Sequence, residues 1–217
     1  MPGIERYRIS SIEPNLLTDE MVDWIASGTK FLPHFHIPLQ SGCDKVLAEM
    51  GRRYNTDSFA RKIEYIRRAF APRKVFFGID VIAGFPGESD EDFETTYNFL
   101  ADVVRPAFIH VFPYSRRPGT PAAERKDQVQ DSIKTERVAR LEELCGRLHR
   151  EFVEDCIGDS LSVLWESRCR NGLMSGYSEN YVKVTAPFDG KLIGCCTDVV
   201  LTTENSGIDS ETKDIEE

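Results

Sequence analysis

The fold of this chain is decided by two stretches, Phe35-His36-Ile37-Pro38-Leu39-Gln40-Ser41-Gly42 and Gly78-Ile79-Asp80-Val81-Ile82-Ala83-Gly84-Phe85-Pro86-Gly87-Glu88. Each is a short apolar run that breaks into small or polar residues just before a predicted helix. α/β folds use this arrangement to place ligand-binding groups at the carboxyl ends of parallel strands. The two stretches therefore predict a parallel sheet with a binding site along one of its edges.

Strands and helices alternate through the first 130 residues. We predict strands at residues 7–12, 35–39, 75–85 and 108–112, and the helical crossovers between them imply a parallel sheet. Each predicted helix has a cap or a set of apolar residues on one face. These sets are Thr18 with Met21, Trp24 and Ile25; Val46, Leu47 and Met50; Asn55 or Thr56 with Phe59, Ile63, Ile66 and Phe70; and the capping box Ser89 and Asp92 with Phe93, Tyr97 and Leu100.

The pattern changes after residue 130. The spacing of apolar residues over 131–155 predicts one long helix, and we expect Gly158 to stop it. From Ser160 onward apolar and polar residues alternate with a period of two, and glycine and asparagine separate the runs. This pattern is typical of a small antiparallel β-barrel, which we predict over residues 159–201. Residues 202–217 are polar and acidic, and we expect them to form a disordered tail.

Composition limits the classes of protein to which the chain can belong. With 217 residues, 41% of them hydrophobic, it is long enough for one medium domain and one small domain. It has no apolar run of about 18 residues and no signal peptide, so we expect a cytoplasmic protein without a membrane partner. The net charge is -9, but the tail supplies five of those charges, and an RNA partner is therefore not excluded. Six cysteines without a regular spacing favour reduced thiols.

A third strand also runs into a polar, glycine-bearing turn, at Ile109-His110-Val111-Phe112-Pro113-Tyr114-Ser115-Arg116-Arg117-Pro118-Gly119-Thr120-Pro121. Together with Arg8-Ile9-Ser10-Ser11-Ile12-Glu13-Pro14, these stretches resemble the radical S-adenosylmethionine methylthiotransferases that modify tRNA. The resemblance covers about residues 7–201 and is strongest to the branch that acts on N6-threonylcarbamoyladenosine. It implies that residues 1–130 are strands three to six of a six-stranded partial α/β barrel, that residues 131–158 are a connecting helix, and that residues 159–201 are a TRAM domain, a small RNA-binding module.

The same resemblance implies a reaction and its cofactors. The family uses S-adenosylmethionine and [4Fe-4S] clusters to install a methylthio group at C2 of a modified adenosine next to the anticodon of tRNA. Its radical cluster is held by a Cys-x-x-x-Cys-x-x-Cys loop, and no such spacing of thiolate ligands occurs in this sequence. We therefore expect the chain to be the carboxy-terminal part of a longer enzyme, to need the missing amino-terminal part, and to be inactive alone, with no catalytic residue and no metal ligand of its own.

The resemblance also implies which residues contact S-adenosylmethionine. Gly84, with Gly87, would allow a flat ligand to approach the backbone, and Glu88 would accept hydrogen bonds from an amine or a ribose hydroxyl. Gln40 and Ser41 would contact the ribose or the methionyl part. The full predicted set is Ser11, Glu13, Gln40, Ser41, Arg53, Gly84 and Glu88, in which the guanidinium of Arg53 would bind the cofactor carboxylate or an RNA phosphate.

Other polar residues carry further predictions. If the module after Ser160 binds tRNA, its cations should gather on one face; they are Arg168, Arg170, Lys183 and Lys191. His36 and His110 lie within apolar strands and lack a paired ligand spacing, so we expect core or lining histidines. The strand at residues 7–12 would leave a sheet edge open, and we expect a dimer that covers it.

Two other functions remain open at this point. One is a non-catalytic RNA-binding module that retains the barrel half as a scaffold, which predicts RNA affinity that falls steeply with salt. The other is a different α/β barrel enzyme that binds a phosphate-bearing substrate at the turn from Gly84 to Glu88. That enzyme would bind its ligand without any cluster.

Overall fold

A computed structural model describes residues 3–207. The first part is a parallel sheet in the order β1 (His34–Gln40), β2 (Phe76–Ala83) and β3 (Phe108–Pro113). The helices are α1 (Asp19–Ala26), α2 (Asp44–Glu49), α3 (Thr56–Phe70), α4 (Asp90–Asn98), α5 (Pro121–Glu124) and α6 (Asp131–Asp155). Because all three strands run the same way, their carboxyl ends meet at one edge, as predicted.

The predicted strand at residues 7–12 is wrong. This segment is extended and hydrogen-bonds beside β1 at its two ends, through Tyr7 to Lys30 and Leu32 and through Ile12 to His36, but it forms only one isolated bridge. The ladder stops because Pro33 has no N–H to donate and the N–H of His34 donates to the carbonyl of Leu32 at 2.8 Å. The described sheet therefore has three strands, and the segment predicted as its open edge hydrogen-bonds to the neighbouring chain only at its two ends.

Side chains alternate between the two faces of the parallel sheet along each strand, and the two faces differ in burial. Phe35, Ile37 and Leu39 of β1 are fully buried against the helices, and the matching residues of β2 behave likewise. Helix α3 begins after the cap Asn55, as predicted, and buries the whole predicted stripe of Phe59, Ile63, Ile66 and Phe70. The opposite, concave face of the sheet carries the residues between them, which are largely polar or aromatic.

Helix α1 begins at the predicted cap, and of its predicted apolar face only Ile25 is buried. Met21 and Trp24 are exposed, whereas Val22 and Ile25 are buried. The reason is the entry into the helix: Leu17, just before the cap Thr18, is buried in the core, and Val22 and Ile25 then continue the same side of the helix. Helix α6 has the predicted bounds. Helix α4 begins at the predicted capping box of Ser89 and Asp92 and continues as a π-helical stretch, Phe99–Val104.

The second part of the chain is an antiparallel sheet. Its strands are β4 (Ser160–Arg170), β5 (Leu173–Ser178), β6 (Lys183–Pro187) and β7 (Cys196–Val200), in the order β6-β5-β4-β7. Within residues 3–207 the outer strands β6 and β7 do not pair with each other, so the predicted barrel is an open sheet. Its inner face packs Val163, Trp165 and Val184 around the end of α6.

The prediction of a disordered tail is wrong for its first six residues. Residues 202–207 fold back as a turn in which the carbonyl of Asn205 accepts from Thr185 at 2.8 Å and Ser206 is buried. The remainder of the predicted tail lies outside the described residues. Within residues 3–207, no helix combines the length and the apolar character needed to cross a membrane.

The two parts contact each other through arginines and aromatic rings. Arg6 donates to Ser162 Oγ at 2.7 Å, and Arg8 donates to the carbonyl of Ser178 at 3.0 Å. Arg8 also lies over the ring of Tyr181, which meets His34 edge-on with the ring centroids 5.0 Å apart. The extended segment before α1 thus holds the antiparallel sheet against the amino-terminal end of the parallel sheet.

Candidate functional site

The end of β1 has the most unusual backbone at the predicted site. Gln40 adopts a left-handed conformation with φ of 71°, which a non-glycine residue reaches only at a cost of roughly 1–2 kcal/mol. The hydroxyl of Tyr54 braces this turn, since it lies 2.9 Å from the carbonyl of Pro38 and 3.1 Å from that of Leu39. Burial raises the pKa of Tyr54 to about 12, so this hydroxyl remains a donor at neutral pH.

Ser41, the next residue, faces the protein interior. It is fully buried, its hydroxyl lies 3.1 Å from that of Thr96, and it accepts from the N–H of Cys43 at 3.2 Å. Gly42 must be a glycine here, because a Cβ would lie 2.9 Å from the Cα of Thr96. Ser41 therefore joins β1 to α4, and its side chain does not reach the open face.

The turn after β2 is closed by one side chain of α6 and one from the segment just before α6. A Cβ at Gly84 would collide with Cγ of Lys134, and one at Gly87 would collide with the guanidinium of Arg125. The space beside these glycines, which the sequence assigned to a flat ligand, is thus occupied by the chain's own side chains.

Glu88 is part of the same closed turn. Its carboxylate accepts from the N–H of Gly84 at 2.7 Å and from Arg137 Nη1 at 2.6 Å. Both side chains of the ion pair are nearly inaccessible, at 1% and 5% exposure. Burial raises the pKa of Glu88, while the Gly84 N–H and the Arg137 guanidinium act in the opposite direction. This carboxylate fastens the turn to α6 and does not face an external ligand.

The remaining predicted cofactor residues are less buried than Ser41 and Glu88. Ser11 and Arg53 are exposed, and Glu13 is half-buried. Glu13 pairs with Arg52 Nη1 at 3.0 Å, so the arginine that joins this group is Arg52 and not the predicted, exposed Arg53. The Nε of Arg52 is buried and has no hydrogen-bond partner. Glu13 and Arg52 both lie near Tyr54, which braces the Gln40 turn. We call the group of Gln40, Glu13 and Arg52 the rim of the site.

Sequence analysis missed a polar cluster on the concave face of the sheet. His36, Asp80 and His110 come from β1, β2 and β3 in turn, and their candidate ligand atoms all lie within 4.8 Å of one another. His36 Nε2 lies 2.6 Å from Asp80 Oδ1, and the imidazoles of His36 and His110 are nearly parallel, with centroids 4.9 Å apart. Both histidines line the concave face as expected. Alternation along β2 places Asp80 on the same face as Gly78 and Ile82, and this signal could have identified it as a neighbour of the histidines.

Aromatic rings flank this cluster. Phe108 and Phe112 share one face of β3 with His110, and both are exposed. The Phe108 ring meets His110 edge-on at 4.7 Å. Burial lowers the pKa of His110, and the neighbouring His36 lowers it further.

The cysteines are spread over both parts of the chain. Cys43, Cys145 and Cys156 are buried, and Cys169, Cys195 and Cys196 are exposed. Burial raises the pKa of Cys156 to about 11, which disfavours the thiolate that a metal needs. Among residues 3–207, no three cysteine sulfurs converge as an iron–sulfur cluster requires.

The strand register puts two of the four predicted RNA-binding cations on one face of the antiparallel sheet. Arg170 lies opposite Leu173, and Lys183 lies opposite Tyr177, on the face turned away from the inner core residues. Arg168 is exposed but lies between Trp165 and Cys169, where the register shifts, so alternation does not assign it to a face. Lys191 lies apart, in the exposed turn before β7, where its N–H donates to Asp189 at 2.9 Å.

Comparison with known proteins identifies relatives of both parts. Residues 2–100 match the family described as the Radical SAM superfamily. The chain is 39% identical over 196 residues to the threonylcarbamoyladenosine tRNA methylthiotransferase MtaB of Bacillus subtilis, covering 88% of this chain and 43% of that protein. It is 39% identical over 165 residues to a tRNA-2-methylthio-N(6)-dimethylallyladenosine synthase of Wolbachia, covering 76% of this chain and 37% of that protein. The chain thus spans less than half the length of these curated relatives.

A solved structure supports the fold. The radical SAM enzyme coproporphyrinogen III oxidase (HemN) from Escherichia coli superposes with a TM-score of 0.53 at 20% identity, covering 66% of this chain and 32% of that one. At this identity the likeness concerns the fold alone. It agrees with the parallel α/β arrangement of β1, β2 and β3.

Proposed function

We propose that this chain, a relative of the tRNA methylthiotransferases of the radical SAM superfamily, forms the cofactor-facing and RNA-facing part of such an enzyme. The observation that carries the proposal is the 39% identity over 196 residues, which extends through both sheets. The proposed substrate is N6-threonylcarbamoyladenosine in tRNA, methylthiolated at C2.

The rim at the end of β1 suits S-adenosylmethionine better than the other predicted positions. Gln40 offers an amide that can both donate to and accept from ribose hydroxyls. Arg52, with a buried Nε that lacks a partner, offers a fork for the methionyl carboxylate. Glu13 holds Arg52 in place from the segment beside β1. The strained turn at Gln40, braced by Tyr54, keeps its backbone fixed before the cofactor arrives.

S-adenosylmethionine, when bound beside a reduced [4Fe-4S] cluster, supplies the radical chemistry of this superfamily. The residues of this chain bind and orient it: the buried turn from Gly84 to Glu88 is rigid because Arg137 and Lys134 fill the space around it. We propose that the cluster's thiolates come from residues outside this chain, because the described thiols do not converge. The proposed active unit is therefore larger than the 217 residues.

The outer face of the antiparallel sheet is the proposed tRNA surface. Arg170 and Lys183 share it, and such cations would neutralise backbone phosphates. Arg6 and Arg8 fix this sheet to the parallel sheet, so a tRNA bound here would be held at a set distance from the rim at Gln40.

A chimera tests the cofactor part of the proposal. In it, the chain replaces the matching 43% of the Bacillus subtilis MtaB protein, and the product is reconstituted anaerobically with iron and sulfide. We expect the chimera to hold a cluster and cleave S-adenosylmethionine, while the 217-residue chain alone holds none. Arg52→Ala should raise the KM for S-adenosylmethionine, and Arg61→Ala, on the exposed side of α3, should not. A stoichiometric cluster on the chain alone would contradict the proposal, and so would a folded, cluster-loaded chimera without cleavage.

A further inference from the structure

We propose that His36, Asp80 and His110 form a binding site for one divalent transition-metal ion on the concave face of the parallel sheet. Each of the three strands supplies one ligand, and the ligand atoms lie within 4.8 Å of one another. The site is separate from the rim at Gln40 and from the cysteines. It does not depend on the proposed function.

Strand register explains why these side chains meet. His36 pairs with Gly78 on β2, and Asp80 pairs with His110 on β3. Histidines on the two outer strands would ordinarily be separated by a side chain of the middle strand. Gly78 removes that side chain: a Cβ there would contact His36 Nδ1 at 3.7 Å and His110 Nε2 at 3.9 Å. The two imidazoles therefore approach each other directly above the backbone of β2.

The distances are close to those of a bound ion. Nitrogen and oxygen ligands lie about 2.0–2.2 Å from zinc, so two ligands on one tetrahedral ion lie roughly 3.4 Å apart. His36 Nε2 and Asp80 Oδ1, now 2.6 Å apart, would separate slightly, and His110 would move closer by roughly 1 Å. The side chains of His36 and Asp80 are 24% and 18% exposed, which leaves room for these rotations and a path for the ion.

The donor set selects the class of ion. Two imidazoles and one carboxylate suit Zn²⁺, Fe²⁺ or Co²⁺, whereas Mg²⁺ and Ca²⁺ prefer oxygen ligands. The exposed rings of Phe108 and Phe112 on the same face of β3 give the site an apolar border, and such a border limits the access of solvent to a bound ion. Three protein ligands would leave at least one coordination position toward the open face, for water or for an oxygen of another molecule.

Co²⁺ titration of the tag-free 217-residue chain tests the site. The background is Cys169→Ser, Cys195→Ser and Cys196→Ser, because these exposed thiols would bind the same ion. We expect one Co²⁺ per chain, with the visible absorption of nitrogen and oxygen coordination. His36→Asn, Asp80→Asn and His110→Asn should each weaken binding at least about tenfold. His149→Asn, a matched control on α6, should leave the affinity unchanged. Equal affinity in all four variants, or no stoichiometric binding, would overturn the proposal.

A measurement on the unaltered side chains guards against variants that fail to fold. The chain has four histidines, and their ring C–H resonances can be followed by NMR during Zn²⁺ addition. We expect the resonances of His36 and His110 to shift in proportion to a single binding event, and those of His149 to stay in place. Excess EDTA should reverse the shifts. If His149 shifts together with the other two, or if His36 and His110 do not respond, the site does not bind the ion.

Discussion

The buried ion pair between Glu88 and Arg137 should dominate the stability of the parallel part. Arg137→Ala leaves the Glu88 carboxylate, 1% exposed, with the Gly84 N–H but without its cation. Removing one partner of such a buried pair costs about 3–5 kcal/mol. The free energy of unfolding of a domain is only about 5–15 kcal/mol, so we expect the variant to be close to unfolding at room temperature.

Arg140 provides a matched control one helical turn away. It also packs over Phe93, with its guanidinium carbon 5.0 Å from the ring centroid, against 5.3 Å for Arg137. Its partner Glu94 is half-exposed, however, and the pair is screened by water. Arg140→Ala should therefore cost less than about 1 kcal/mol.

Urea unfolding, monitored by circular dichroism, measures the free energy of unfolding that each variant loses. The double variant Arg137→Ala with Glu88→Gln should lose less than the sum of the two single losses, because it leaves no buried charge unpaired. The reasoning is refuted if Arg137→Ala and Arg140→Ala lose the same free energy, or if the double-variant losses simply add.

Three further predictions concern other parts of the chain. Burial lowers the pKa of His34 to about 4. Because this histidine takes up a proton near pH 6.5 only in the unfolded chain, the free energy of unfolding should fall by about 2 kcal/mol between pH 7 and pH 5. In urea unfolding, the variant His34→Gln should lack this decrease. Tyr54→Phe removes the hydroxyl that braces the Gln40 turn and should cost about 1 kcal/mol by thermal unfolding. Arg170→Ala should weaken tRNA binding and reduce its salt slope by about one unit in filter assays, whereas Arg68→Ala on α3 should change neither.

Local signals in the sequence were sufficient for much of the fold. The stripe of α3 repeats at helical spacing, and the capping box of Ser89 and Asp92 is decided within four residues, so both were predictable. The segment at residues 7–12 was not, because its ladder is broken by hydrogen bonding at Pro33 and His34 on a different segment. An alternating sequence pattern indicates which side chains share a face. It does not indicate whether the neighbouring segment has a free backbone N–H to donate.

The candidate site depended more on distant partners. Glu88 was expected at the cofactor because its acceptor character is visible in sequence, whereas Arg137, which occupies it, lies 49 residues away. Lys134 fills the space beside Gly84 in the same way. The cluster of His36, Asp80 and His110 needed the register of three strands, which no single stretch determines.

The modified nucleosides of tRNA test the central claim most directly. The chimera with the Bacillus subtilis protein is expressed in a strain that lacks its own threonylcarbamoyladenosine methylthiotransferase, and digested tRNA is examined by mass spectrometry. We predict the 2-methylthio derivative of N6-threonylcarbamoyladenosine, and its loss when the chimera carries Arg52→Ala. Unmodified threonylcarbamoyladenosine in the presence of soluble, cluster-loaded chimera, or a methylthio group only on dimethylallyladenosine, would contradict the account.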